Sequence, residues 1–303
     1  MGPKVSVCLV TYNHEKFIKQ AIESVFMQKT DFDYEVVVGE DYSTDNTRKI
    51  LSQYQMRYPH RIKAIFNNKN VGPVENFIRT LSTCKGKYIA YLEGDDYWTD
   101  RYKLQKQVDF LDKHPNHSLC FHSVEAFYQD QPDKTYLIPS KTENFNFKSL
   151  LQHNFITACS VMYRHGLVKK IPDWFLSLNI GDWPYHLLHA SKGKIGFINQ
   201  VMARYRRHSN SYCSQPKVKN FQNIIEFYLV IDKHFHYKYR SIIKFMIGKH
   251  YLLIAQEQFQ DHKIKTARES LNKAYQHLGP IKALTNKDWL KIFLKSRLVP
   301  CPV

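Results

Sequence analysis

Four carboxylates fall within eight positions of the stretch YLEGDDYWTD, residues 91–100: Glu93, Asp95, Asp96 and Asp100. They follow the apolar run YIAYL, residues 88–92, in a chain whose formal net charge is +17. Clustered carboxylates repel one another and hold their protons more tightly unless a cation lies between them. A hard divalent ion such as Mg²⁺ or Mn²⁺, bound through one or two carboxylates and completed by water and phosphate oxygens, resolves that conflict and grips a diphosphate. Gly94 lets the backbone turn tightly there. The plainer alternative is a turn at Gly94, Asp95 and Asp96, with Asp100 capping the next helix.

The elements around this stretch decide between the two. VSVCLV (residues 5–10) is β-branched and apolar, TYNH (11–14) is a polar turn, and Phe17, Ile18, Ala21, Ile22, Val25 and Phe26 recur at helical spacing. The cycle repeats with a strand over 34–38, a turn over 40–46 and a helix over 47–56, then with a strand over 62–66, a turn over 67–72 and a helix over 73–81. A fourth strand covers 88–92. Strands alternating with helices predict βαβ units and a parallel sheet. In such sheets the ligand crevice lies beyond the carboxyl ends of the strands. Residues 11–13, Glu40 and Asp41, residues 70–72, and residues 93–96 all emerge at that edge, so four polar turns converge on one cleft.

Further along, Leu104, Val108 and Leu111 predict a helix ending near His114. Strand-like runs cover 118–128 and 155–162 around a polar loop, residues 179–190 read as a helix with Pro184 in its first turn, and 194–205 reads as a strand. From Val218 onward the chain reads as long helices rich in basic residues, with a boundary placed near 215. Residues 204–303 hold 19 of the 44 Lys and Arg but only 6 of the 27 Asp and Glu, so the positive surplus belongs to the last third.

The segments VSVCLVTYNHEKFIKQAIESVFMQ, EVVVGEDYSTDNT, NKNVGPVENF and GKYIAYLEGDDYW together resemble the N-terminal domain of family 2 glycosyltransferases. The likeness extends more weakly through GDWPYHLLHASKGKIGFINQVMARYRRHSNS. It implies a GT-A fold, a Rossmann-like, mostly parallel sheet flanked by helices, over 1–215, with a nucleotide half at about 4–115 and an acceptor half at 116–215. A basic helical extension would cover 216–303. The implied reaction is inverting, metal-dependent transfer from a nucleotide diphosphate sugar, UDP-linked by expectation, to a hydroxyl of a glycan or lipid-linked acceptor, in bacterial polysaccharide or glycolipid synthesis. The resemblance places Thr11, Tyr12 and Asn13 beside the nucleotide, Asp41 at its base, and Asn70 and Gly72 on the next nucleotide-side loop. Glu93, Asp95 and Asp96 match the family's Asp-x-Asp metal motif, with Glu93 replacing the first Asp, which leaves Asp95 and Asp96 as the metal ligands for Mn²⁺ or Mg²⁺.

Asp182 resembles the family's catalytic base, which takes the acceptor's proton. The same residue also suits an N-cap ahead of Pro184, and both roles are compatible. Arg206, Arg207 and His208 match a segment that meets the metal or the diphosphate; a solvated basic strand end is the plainer account. Of the tryptophans, Trp98, Trp174 and Trp183 read as core or rim residues.

The N-terminal residues lack the apolar stretch and cleavage site of a secretory signal, and no run of about 18 apolar residues occurs. Six cysteines without metal spacing fit reduced thiols. A cytoplasmic location is therefore expected, peripheral on the inner face of the membrane if Lys238, Arg240, Lys244, Lys249 and the later cations dock on anionic lipid with Trp289, Phe293 and Leu294. Nucleic-acid binding would use the same cations but leaves the acidic cleft unexplained. A sugar nucleotidyltransferase is the enzymatic rival, yet no Gly-rich triphosphate loop follows the first strand.

Overall fold

The computed structural model describes residues 2–140, 144–209 and 216–279, in two compact units, Met1–His208 and Ser209–Val303. In the first unit the alternating pattern becomes β1 (Val5–Thr11), α1 (Ile18–Phe26), β2 (Tyr34–Glu40), α2 (Thr47–Arg57), β3 (Ile62–Phe66), α3 (Pro73–Thr83) and β4 (Tyr88–Glu93). There follow β5 (Tyr97–Trp98), α4 (Lys103–Lys113), β6 (His117–Tyr128), β7 (Gln131–Ile138), α5 (Phe147–Gln152), β8 (Met162–Arg164), α6 (Asp182–Ala190) and β9 (Lys194–Arg207). The strand order in the sheet is β3-β2-β1-β4-β8-β6-β9-β5, with β7 paired to β6.

All seven residues of β1 are buried, because a central parallel strand is covered on both faces and reads as a continuous apolar run. Cys8 lies in register with Val37 of β2 on one side and Tyr91 of β4 on the other. Val5, Val7, Leu9, Val36, Val38, Ala90 and Leu92 form the core with Ile18, Ala21, Ile22 and Val25, the buried stripe of α1. The chain runs from β1 outward to β3, then crosses back to place β4 on the other side of β1. The sheet therefore reverses between β1 and β4, and the turns after Thr11 and Glu93 open side by side.

Beyond β4 the sheet is mixed. β8 runs antiparallel to β4 and β6, β9 runs parallel to β6, and β5 is antiparallel to the end of β9, pairing Tyr97 with Arg204 and Trp98 with Ala203. That two-residue pairing draws the end of β9 onto the acidic turn.

Two sequence expectations are corrected. The apolar run 155–162 is not a strand: Ala158–Ser160 is a 3₁₀ turn, and only Met162–Arg164 pairs. Two of its carbonyls are taken by side chains, Cys159 O accepting from Trp98 Nε1 at 3.0 Å and Ser160 O from Gln107 Nε2 at 2.9 Å. The run is apolar because it is wedged into the core. Conversely the expected polar loop contains β7, an edge strand whose successive residues are exposed on both faces along nearly its whole length, so no apolar alternation marks it.

The second unit consists, among the described residues, of α7 (Lys217–His234), α8 (Arg240–Gln260) and α9 (Ile264–Leu278). Leu252 and Ala255 pack on Leu271, Ala274 and Leu278, and a Cβ at Gly248 would stand 2.6 Å from Leu278 Cγ, so the glycine permits close approach of α8 and α9. No helix among the described residues is long and apolar enough to cross a membrane. The expected boundary at 215, and Trp289, Phe293, Leu294 and the cations from Lys282 onward, lie outside the described residues.

Candidate active site

Asp95 is the hub. The turn between β4 and β5 turns its carboxylate so that Oδ2 lies 3.1 Å from His208 Nε2 and 3.9 Å from His14 Nε2, while Oδ1 is buried without a hydrogen-bond partner among the described residues. Burial raises the proton affinity of Asp95, but the positive potential of His14 and His208 outweighs it and holds the carboxyl below its usual range. Burial also lowers His14, against the opposing pull of Asp95.

The neighbouring acids behave oppositely. Burial, aided by the charges of Asp95 and Asp182, pushes Glu93 up to about 8. Asp96, 1% exposed, is pushed well above the ordinary range by burial and then by Asp95 and Glu93, even though its Oδ1 accepts from Arg206 N at 2.8 Å. Glu93, Asp95 and Asp96 offer oxygens within 4.8 Å of one another, and Asp95, His14 and His208 form a second such group. The unpartnered buried oxygen, the mutually raised carboxyls and the two imidazoles fit a divalent cation, which would relieve the repulsion. His14 is a residue that sequence reasoning left unassigned; its signal was its place in the same turn as Thr11, Tyr12 and Asn13.

That turn is tightly built. Thr11 is 2% exposed, and its Oγ1 lies 3.2 Å from His14 Nδ1. Asn13 takes the left-handed conformation (φ 54°), donates its N–H to Ser43 Oγ at 3.0 Å and accepts from Thr44 N at 2.8 Å, which fastens the turn after β1 to the turn after β2. Tyr12 stands exposed at the rim.

Asp41 is buried behind the loop preceding α3. Its Oδ1 accepts from Val71 N at 2.8 Å and Asn67 Nδ2 at 3.0 Å, its Oδ2 from Gly72 N at 2.9 Å, and its carbonyl from Asn70 Nδ2 at 3.1 Å. The structure thus brings Asp41, Asn70 and Gly72 together, with Asp41 shaping the loop. Gly72, at φ 88°, makes the left-handed turn that Pro73 follows at the first position of α3.

Arg206 reaches the acidic turn, with its guanidinium engaged from several sides. Nε donates to Asp95 O at 2.8 Å, one terminal nitrogen to Gln20 Oε1 at 2.7 Å and the other to Gln129, and the group lies 4.6 Å from the Phe17 ring and 4.9 Å from that of Phe127. Arg207 points elsewhere, its guanidinium 5.8 Å from the Tyr128 ring and 5.9 Å from that of Tyr136.

Asp182 opens α6 as its first helical residue, with Gly181 at the cap and Pro184 in the first turn. The N-cap is thus Gly181, one residue before the position expected from the sequence. Asp182 Oδ2 accepts from Asn154 Nδ2 at 3.2 Å and lies 3.9 Å from His186 Nε2. Burial raises its proton affinity, against the hydrogen bonds from Trp183 N–H and Asn154. Its charge adds to the raised proton affinity of Glu93, so the two carboxyls are electrostatic neighbours. Trp98, 1% exposed, is core, and Trp183 Nε1 donates to Leu150 O at 2.8 Å. Asp100 accepts from Tyr102 N at 2.7 Å and pairs with Lys106 Nζ at 2.6 Å, closing the turn into α4.

The family described as Glycosyl transferase family 2 matches residues 6–171. An uncharacterized protein of Mycobacterium tuberculosis is 38% identical over 208 residues, 68% of this chain and 59% of that protein, so the chain spans less than two thirds of that relative's length. The Escherichia coli UDP-Glc:alpha-D-GlcNAc-diphosphoundecaprenol beta-1,3-glucosyltransferase WfaP is 29% identical over 208 residues, 68% of this chain and 78% of WfaP. S. aureus TarS 1-349 in complex with UDP shares the fold at a TM-score of 0.64 and 17% identity, over 97% of this chain and 90% of that 1-349 chain. The mannosyltransferase PcManGT of Pyrobaculum calidifontis, in complex with GDP-Man and Mn²⁺, does so at 0.58 and 13%, over 98% and 88%. With the family model matching more than half of the chain on a GT-A framework, the chain belongs to glycosyl transferase family 2.

Proposed function

We propose that the cleft binds a nucleotide diphosphate sugar together with a divalent cation and transfers the sugar, with inversion, to a hydroxyl of a glycan or lipid-linked acceptor. The observation that carries this reading is the pairing of Asp95 with His208 at 3.1 Å beside the clustered carboxyls of Glu93 and Asp96. Thr11, Tyr12 and Asn13 line the nucleotide, with Asp41 holding the loop of Asn70 and Gly72 against its base side. Asp95, His208 and Asp96 hold the metal, and Glu93 lies toward the ribose. When bound, the cation supplies positive charge against the diphosphate as it departs.

Asp182 acts as general base. Its carboxylate takes the proton of the acceptor hydroxyl while that oxygen bonds to the anomeric carbon, and the bond from that carbon to the diphosphate oxygen breaks on the opposite face. Asn154 holds the carboxylate in place, and burial raises its proton affinity toward what a base needs. Arg206 secures the acidic turn from behind and adds its charge there. WfaP, by its name, takes UDP-Glc and an undecaprenol-linked acceptor, and TarS and PcManGT were solved with UDP and GDP-Man; they support a nucleotide diphosphate donor and leave its base to experiment. The exposed cations Lys238, Arg240, Lys244 and Lys249 suit docking of a lipid-linked acceptor's membrane.

Thermal melts of the protein with UDP-, GDP- and dTDP-sugars, with and without Mn²⁺, test the donor reading, since a ligand bound only by the folded state raises the melting temperature. Stabilisation by one nucleotide sugar only when Mn²⁺ is present is expected. Absence of stabilisation by every nucleotide sugar, with or without metal, would overturn it.

A further inference from the structure

Asp95 Oδ2 has two imidazole neighbours. His208 Nε2 stands 3.1 Å away and His14 Nε2 3.9 Å away, and the two rings meet edge to face with centroids 6.3 Å apart. A separation of 3.9 Å is too long for a hydrogen bond. It suits two donors to one ion: with bonds of about 2.1 Å, donors stand about 3 Å apart when adjacent and about 4 Å when opposite. All three donor atoms lie within 4.8 Å of one another.

The far side of the His14 ring is also prepared. Its Nδ1 lies 3.2 Å from Thr11 Oγ1, and Thr11 is 2% exposed. With the ring proton on Nδ1 and donated to that hydroxyl, Nε2 keeps its lone pair toward Asp95, the arrangement by which a second residue orients a ligating histidine. Gly94 leaves room for the pair, since a Cβ there would stand 2.6 Å from Thr11 Oγ1 and 2.9 Å from His14 Nδ1.

We propose that His14 is a ligand of the active-site cation, joining Asp95, Asp96 and His208, with Thr11 orienting its ring. The inference rests on the metal reading of the site and adds a ligand from the turn after β1. Two imidazoles disfavour Mg²⁺, which prefers oxygen donors and gives up water reluctantly; they favour Mn²⁺, and Co²⁺ ahead of it.

The test is pulsed electron paramagnetic resonance on the full chain loaded with Mn²⁺ and UDP. Couplings to two nitrogen nuclei are expected in the wild type and to one in His14→Ala, His14→Gln and His208→Ala. Calorimetry should show Mn²⁺ affinity falling roughly 10- to 100-fold in Thr11→Val, the scale of losing an orienting partner, and at least as far in His14→Gln, with Mg²⁺ binding little altered. A single nitrogen coupling in the wild type, unchanged in both His14 variants, overturns the inference and leaves the metal reading standing. A wild type that binds no Mn²⁺ overturns both.

Discussion

His208 Nε2 meets Asp95 Oδ2 at 3.1 Å across 113 positions of sequence, joining the end of the last strand of the sheet to the turn after β4. If this pair anchors the cation, Asp95→Asn and His208→Ala should each weaken Mn²⁺-dependent UDP binding by roughly 10- to 100-fold or more, with melting curves that remain cooperative. Calorimetric affinities equal to wild type in both variants would remove the pair from the site.

Asp182→Asn should bind UDP and Mn²⁺ as the wild type does and lose transfer, with kcat down by roughly 10²- to 10⁴-fold. Because burial raises the proton affinity of Asp182 and the base works deprotonated, kcat/KM should climb with pH along a limb lying above the ordinary carboxylate range. Full turnover in the amide variant would assign the base elsewhere.

Glu93 gives a separate pH signature. Its proton affinity in the folded protein is raised from 4.5 to about 8, so folding favours the protonated form. That contribution to stability is complete below the unfolded value and is lost as pH rises through about 8. Melts in EDTA should show the melting temperature falling between those limits, and Glu93→Gln should flatten the fall. An unchanged slope in the variant would place the titrating group elsewhere.

Gly94→Ala should disturb the turn after β1 through the side chains it presses on. The added methyl would crowd Thr11 and His14, at a cost of about 1–3 kcal/mol for an overpacked site. Mn²⁺ affinity should fall while the far-ultraviolet circular dichroism stays native. Wild-type affinity in this variant would show that the turn yields without consequence.

Charge reversal at Lys238, Arg240, Lys244 and Lys249, all exposed, should abolish salt-sensitive sedimentation with phosphatidylglycerol vesicles, since each cation contributes about 1 kcal/mol at such a surface. Transfer to a water-soluble acceptor should be unaffected. Wild-type sedimentation of the reversed protein would refute lipid docking by these cations.

The nucleotide half was legible because its signals are local. Continuous apolar strands, polar turns and amphipathic helices gave β1 to β4 and α1 to α4 nearly to the residue, and those strands dictate which turns share an edge. What escaped was set by distant partners. Residues 155–162 look like a strand because they are buried, but Trp98 and Gln107, far off in sequence, take their carbonyls. β7 lacks an apolar stripe because both of its faces meet water. Arg206 sits beside the acidic turn as its position suggested, but its rings and amide partners come from Phe17, Gln20, Phe127 and Gln129, which no spacing rule connects to it. His14 was in view from the start, but only the folded turn shows its ring aimed at Asp95.

The pairing of β5 with the end of β9 also bears on biosynthesis. Tyr97 and Trp98 must wait for Ala203 and Arg204 before the turn between β4 and β5 is tied down. While the ribosome is still synthesising residues 115–200, the nascent βα layers can compact, but nothing yet closes the acidic pocket, because the closing contact spans so long a loop. Competence to hold the proposed cation should therefore arrive abruptly and late, after β9 emerges, and a ribosome stalled before that point would carry a domain with its sheet begun and its acidic turn untied.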